Sequence, residues 1–292
     1  MEVNVKQAQK MFFSKSSFEM IYFEAFANAL DAGATTFNIN IELSAKEQIQ
    51  NLSITIEDNG CGFTDEHFRK FSKLFDVDER THKGLGRLVY LCYFDNVHIE
   101  SVYDKNEKRI FDFDENFNGK SVIQDCQEEH TGTILKMYSF SGQKLGKNEY
   151  INPLYIKNAL LENFYMKFYK AKNNGHPICV EIQTDISGNI KTENITEKDL
   201  PKFEVMPLKE QVDIFNKIDL YYYVEELATL QETKVITAIA VDDRSQKVDI
   251  IAEENFPPHY QMIFLLISES FHGNTDGARL NLTLEAAELN RK

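Results

Sequence analysis

Cysteine is scarce and scattered: Cys61, Cys92, Cys126 and Cys179 are the only four in 292 residues, and no two form a C-x-x-C pair. That spacing supports neither a zinc site nor a disulfide framework and reads as buried free thiols. Positive charge is also short, with 32 Lys and Arg against 46 Asp and Glu and a formal net charge of −14. A surface of that sign repels a phosphate backbone, so DNA binding by this chain is not expected. No apolar run approaches the roughly 20 residues that span a bilayer. The opening "MEVNVKQAQKMFF" lacks the basic flank and unbroken apolar stretch of a secretory leader. A cytoplasmic protein with no membrane partner is expected. Internal repeats and low-complexity segments are absent, and no nucleophile, base and acid arrangement suggests covalent catalysis.

What remains is ample for a core, since 42% of the residues are hydrophobic, and the length suggests two domains. Residues 17 to 32 place Phe18, Ile21, Tyr22, Ala25, Phe26, Ala29 and Leu30 at helical spacing, with Ser16 or Ser17 as the cap and Gly33 as the stop. "FNINIEL" and "NLSITIED" alternate as strands before the turn "DNGCGF". Residues 64 to 83 read as charged and irregular, and "GLGRLVYLCYF" as a glycine turn opening a buried helix. "VHIESVY", "RIFDFD", "KSVIQDC" and "GTILKMYSF" read as antiparallel strands, which gives a helix-and-sheet half with its helices on one face. A long amphipathic helix is expected over 151 to 172, followed by a hairpin turning at Ser187, Gly188 and Asn189. After a break near 201 to 209, a helix is expected around 211 to 230, then strands "VITAIAVDD", "VDIIAEE", "QMIFLLISES" and "RLNLTL". The closing "EAAELNRK" reads as a helix just beginning, so a fragment of a longer chain is expected.

Four short stretches carry chemistry. Glu24, Asn28 and Asp31 are four and three residues apart, so they form one polar stripe on an apolar helix, either solvated or facing a polar site. In "EDNGCGF", Asp58 ends a strand and Gly60 and Gly62 permit close backbone approach, although Asp-Asn-Gly is also an ordinary turn. "HKGLGRLVYL" places glycines at a helix start, where free amides and the helix dipole suit phosphate, or else makes a simple tight turn. "HTGTILKM" offers the Thr133 hydroxyl on a strand. His82 reads as an exposed histidine, and Asp112 with Asp114 as a half-solvated strand face, not a metal site.

In this order and spacing the four stretches resemble the motifs of the GHKL ATPases, a group that includes DNA gyrase B, the ninety-kilodalton heat-shock chaperones, histidine kinases, MutL and the MORC proteins. "NALDAGATTFNINIE" followed by "DNGCGF" is especially similar to MutL and MORC text. The resemblance implies an α+β class, a Bergerat-fold helix and sheet sandwich holding ATP and Mg2+ under a lid, followed by a smaller α/β transducer-like domain. Boundaries are expected at 1–200 and 201–292. It implies Glu24 as the base that activates water, Asn28 as magnesium ligand and Asp31 as a brace. It implies Asp58 as acceptor of the adenine amino group, supported by Thr133 through a water, with Gly60 and Gly62 allowing approach. Lys83, Gly84, Leu85, Gly86, Arg87 and Leu88 match the phosphate-binding lid end, though "KGLGRLVYL" departs from the "GFRGEAL" style of MutL.

In the second half, "AVDDRSQKV" is similar to the start of the MutL transducer domain, and Arg279 in "NTDGARLNLTL" stands where that family has a basic residue reaching the γ-phosphate. Lys234 in "QETK" is the rival, by similarity to a gyrase loop. The family implies slow hydrolysis, ATP-dependent homodimerisation and a conformational clamp acting on a client the sequence does not name. DNA transactions, chaperoning and antiphage defence all use such an engine. Two other classes share the fold: a histidine kinase, for which an upstream histidine domain is not expected from the residues ahead of Phe12, and a noncatalytic ATP-sensing module in which Glu24 would be idle.

Overall fold

The computed structural model describes residues 16–45, 47–73, 85–104, 106–141, 145–208, 217–228, 232–241, 244–248 and 255–268. The chain divides into two compact units, Met1–Leu160 with Lys172–Glu197, and Leu161–Ala171 with Lys198–Lys292. Among the described residues no helix is long and apolar enough to cross a membrane.

The first unit begins with helix α1, Met20–Asp31, whose buried residues are Ile21, Tyr22, Phe23, Ala25, Phe26, Ala27 and Ala29. The expected serine cap is absent: Glu19 holds the cap position with no side-chain bond to the helix amides, and Ser17 donates to the Glu19 carboxylate instead. The Met20 and Ile21 amides instead donate to the Ser17 and Phe18 carbonyls, so a turn ahead of the helix satisfies donors that a side-chain cap would otherwise serve. Gly33 stops the helix as expected, at φ +78°, while Ala34 N–H reaches back to the Ala29 carbonyl at 2.9 Å.

Strands β1 (Thr36–Leu43), β2 (Ser53–Asp58), β3 (Phe94–Tyr103), β4 (Glu107–Phe113), β5 (Val122–Asp125), β6 (Gly132–Phe140), β7 (Cys179–Ile186) and β8 (Asn189–Ile195) form one sheet. Their order is β5-β4-β3-β6-β2-β1-β7-β8. Only the β1–β7 pairing is parallel; the other neighbours in the order are antiparallel. Alternation decides which side is inside. Ile41, Ile54, Met137, Val97 and Phe113 are cross-strand partners in one row, and Ile39, Ile56, Leu135, Ile99 and Phe111 in the next. All ten are buried. Helix α1 packs on this side, where the Phe26 ring meets Phe37 of β1 edge-on at 5.1 Å, and each such buried aromatic contributes about 1.5–3 kcal/mol.

Further elements follow along the chain. Helix α2, Asp65–Ser72, falls where the sequence reads as irregular. Its eight residues give a periodicity reading too few turns, yet Thr64 caps it through the His67 amide and Phe68 anchors it. The stretch expected as a buried helix after the second glycine is a 3-10 helix, Gly86–Cys92, with Arg87, Leu88, Val89 and Tyr90 buried. Helix α3, Pro153–Asn173, matches the expected long helix, but Phe164 breaks its helical geometry at φ −127°, ψ 20°. The β7–β8 hairpin turns at Ser187 and Gly188, both with positive φ, while Asn189 already opens β8.

The second unit holds a five-stranded sheet of order β12-β11-β13-β10-β9, from β9 (Glu204–Pro207), β10 (Asp219–Glu226), β11 (Lys234–Val241), β12 (Arg244–Lys247) and β13 (Tyr260–Ile267). The helix expected around 211 to 230 is corrected here, because Asp219–Glu226 is a strand paired with β9 and β13. Three consecutive tyrosines inside "DLYYYVEE" favour a pleated surface over a helix. Residues 211–216 and 229–230 of that expectation, the strand "VDIIAEE" beyond residue 248, and "RLNLTL" lie outside the described residues. The chain as described is of the α+β class.

Candidate functional site

The inner face of the first sheet changes character at its third row. Phe37, Asp58, Thr133, Ser101 and Arg109 are successive cross-strand partners across β1, β2, β6, β3 and β4. They point the same way as the two apolar rows beside them. A polar row therefore borders the core, at the end of the strands where β2 gives way to "NGCGF". The Ser101 hydroxyl stands 3.1 Å from the Thr133 hydroxyl and 3.1 Å from the Gly132 carbonyl, and accepts the Phe63 amide at 2.8 Å.

Asp58 accepts the Gly60 amide on Oδ1 at 2.8 Å. Burial pushes its carboxyl up to about 6, against the opposing pull of that amide. Asn59 stitches the loop to the strand start by accepting the Thr35 and Thr36 amides at 2.8 Å each, and Cys61 N–H donates to the Ala32 carbonyl at 2.9 Å. The glycines answer to protein neighbours. A Cβ on Gly60 would come within 2.8 Å of Ala32 Cβ and 2.9 Å of Asp58 Oδ1, and one on Gly62, at φ +73°, within 2.8 Å of Ser101 Oγ. Both are needed to seat the loop itself.

The helix stripe supplies the other end. Glu24 is half-buried, and Asn28 and Asp31 are exposed. The Glu24 carboxylate lies against Gly86, where an added methyl group would overlap it. Asn28 turns its amide nitrogen to the Tyr90 hydroxyl at 3.5 Å, and its carbonyl oxygen is a further acceptor. Thus α1 and the start of the Gly86–Cys92 helix bring Glu24, Asn28, Gly86 and Tyr90 together. Leu85 and Leu88 are buried packing residues. Arg87 is 6% exposed; its guanidinium stacks over Phe71 at 4.6 Å and donates to the Lys73 carbonyl at 3.0 Å. Burial lowers its pKa to about 10, with Glu24 the leading charge in its favour. Lys83, Gly84, Arg279 and His82 lie outside the described residues. In the second unit Lys234 pairs with Glu162 at 2.9 Å, as does Lys247.

Sequence reading missed Ser101 and Arg109. The signal was present, because Phe111 and Phe113 face inward, and period two then carries Arg109 inward too. The same count places Ser101 between Ile99 and Tyr103. Each looks like an ordinary surface residue when read alone. Among the described residues no three His, Cys, Asp or Glu side chains cluster to hold a metal.

Residues 14–132 match the family model of the histidine kinase-, DNA gyrase B-, and HSP90-like ATPases. No curated protein matches the chain. Among solved structures, the N-terminal domain of a DNA repair protein superposes with a TM-score of 0.64 at 13% identity, covering 99% of this chain and 95% of that one. The 43K ATPase domain of Thermus thermophilus gyrase B, in complex with an aminocoumarin, gives a TM-score of 0.49 at 12% identity over 92% of this chain and 82% of that one. The first likeness extends over both units and speaks to fold alone. The glycine loop, the Glu24–Gly86 contact and the polar row up to Arg109 lie inside the matched span, with Thr133 just past its end, so the site falls within the part of the chain that is similar to a GHKL domain, of the histidine kinase-, DNA gyrase B- and HSP90-like ATPase kind.

Proposed function

We propose that this chain is a Mg-dependent ATP-binding and ATP-hydrolysing module of the MutL and MORC type, with an ATPase domain at about 1–200 and a transducer-like domain at about 201–292. The observation that carries this reading is the separation of two chemistries inside one domain. A half-buried acid with hydrogen-bonded glycine support, Asp58, stands at one end, and a carboxylate set against a backbone glycine, Glu24, at the other.

Asp58 would accept the exocyclic amino group of adenine, which guanine cannot offer at that position. Thr133 and Ser101 fix the row beside it. Asn28 would lend its carbonyl oxygen to Mg2+, which when bound neutralises phosphate charge. That donor set fits, since a magnesium ion keeps waters and phosphate oxygens and asks little of the protein. Glu24 would orient the attacking water and take its proton, with Gly86 leaving room for the carboxylate. Leu85 and Leu88 hold the segment that carries Gly86, and Lys83 and Gly84 would complete the phosphate contacts. Asp31 would brace the stripe. Arg279, or Lys234 once released from Glu162, would reach the γ-phosphate in a closed dimer. Closure and homodimerisation would then drive a clamp on a client, in DNA transactions or antiphage defence.

The test is equilibrium binding of Mg-ATP, and phosphate release, for the wild type and Glu24→Gln. Binding by both, with turnover lost in the variant by 100-fold or more, is expected from removal of a general base. Binding without turnover in the dimerised wild type would favour a nucleotide sensor, and absence of binding would end the nucleotide reading.

A further inference from the structure

Helix α2 is gripped at both ends by buried arginines, and neither is spent on solvent. Arg109, 3% exposed, stacks over Phe68 at 4.6 Å and donates Nε to the Phe63 carbonyl at 3.0 Å. Its Nη1 donates to Ser121 Oγ at 2.9 Å, and its Nη2 pairs with Asp65 in the first turn of α2 and reaches the Tyr103 hydroxyl at 3.3 Å. Arg87 stacks over Phe71 at 4.6 Å and donates to the Lys73 carbonyl just past the last turn. Phe68 and Phe71 are three apart, so they share the inward face of α2, and one guanidinium covers each. The rings join one aromatic cluster, in which Phe63, Phe68 and Phe71 meet Phe111 within 5.4 Å.

The two grips lead to opposite ends of the site. Arg109 holds Phe63, which follows Gly62 in the loop beside Asp58 and whose amide Ser101 accepts. Arg87 follows Gly86, the residue against which the Glu24 carboxylate rests. An eight-residue helix is about 12 Å long and stiff on that scale. A buried arginine is costly to desolvate, and this short, largely exposed helix is held by two of them.

We propose that α2 is a strut that couples the base-recognition loop to the Glu24 end, with Arg109 and Arg87 as its positioning residues. Arg87 then serves Glu24 through Gly86 and α2, not as a phosphate contact. The inference rests on the nucleotide reading for its consequence but not for its physical content.

The first measurement therefore uses no nucleotide: hydrogen exchange of the amides of residues 68 to 73 in the full chain. Arg109→Met, which releases the N-terminal grip, is expected to speed exchange tenfold or more through to the Lys73 amide. Arg87→Met should likewise loosen the Phe68 amide, at the opposite end. Arg109→Lys keeps the charge and loses the planar fork, and should loosen the helix in the same pattern if Arg109→Met fails to fold. Acceleration confined to the end nearest each substitution would overturn the strut. The second measurement is a double-mutant cycle in kcat/KM for Mg-ATP, read beside nucleotide Kd. Arg109→Met should weaken binding, Arg87→Met should lower kcat, and the double variant should lose less than the product of the two by more than threefold. Independent distant sites would instead multiply to within threefold, and that result would overturn the coupling. A wild type that binds no Mg-ATP defeats the nucleotide reading and leaves the exchange result to decide the strut.

Discussion

Gly86→Ala isolates the placement of one carboxylate. The added methyl group would overlap the end of the Glu24 side chain, not backbone, so Glu24 can yield by rotating away. An off-rotamer or alternative χ costs on the order of 1 kcal/mol. Gly86 opens the 3-10 helix Gly86–Cys92 and is not among the positive-φ glycines, so alanine is tolerated there. Replacing glycine by alanine at a permissive position returns about 0.4–1 kcal/mol through the unfolded chain. The two contributions nearly cancel, and the melting temperature should stay within about 5 °C of wild type. Catalysis should not be spared. A displaced general base forfeits about 10²–10⁴-fold, or roughly 3–5 kcal/mol of barrier. The assay is single-turnover phosphate release with Mg-ATP, beside Kd for a fluorescent adenine nucleotide. The expected pattern is a turnover loss approaching that of Glu24→Gln with Kd changed less than fivefold. Wild-type turnover in Gly86→Ala would refute the claim that Glu24 must rest against Gly86 to act.

Asp58 has its folded carboxyl pKa raised to about 6 by burial, so the stability its neutral form favours is present below about pH 4 and lost as pH rises through about 6. Asp58→Asn should therefore raise the unfolding free energy at pH 7.5, by on the order of 3 kcal/mol, and the gain should vanish near pH 4, while adenine over guanine preference collapses. Gly62→Ala meets the Val102 carbonyl and Ser101 at a positive φ, and should destabilise the chain by about 2–4 kcal/mol in chemical denaturation. Ser101→Ala removes the acceptor of the Phe63 amide and a partner of Thr133, and should cost about 1–3 kcal/mol in the same assay.

Much of the first unit was legible because its physics is local. Alternation in "FNINIEL" and "SITIED" sets which side is buried, and Gly33 and the Ser187–Gly188 turn follow from positive φ. The helix stripe was legible for the same reason, since spacing alone puts Glu24, Asn28 and Asp31 on one side. What escaped reading was decided by tertiary partners. Helix α2 has too few turns to show a period and stands by Phe68 and Phe71 packing under two arginines. The strand at Asp219–Glu226 is fixed by pairing with Tyr260–Ile267, forty residues on, which no window in its own sequence contains. Arg109 and Ser101 belong to the site only because β2, β6, β3 and β4 register so that they fall in line with Asp58. A register of strands distant in sequence is invisible until the strands are paired.

The most direct measurement is isothermal titration of the full chain with Mg-ATP and with Mg-GTP, for the wild type and for Asp58→Asn. Saturable binding of ATP by the wild type, at least tenfold tighter than GTP and weakened at least tenfold in Asp58→Asn, is the predicted result. Failure of the wild type to bind ATP, or equal ATP affinity in Asp58→Asn, would contradict it.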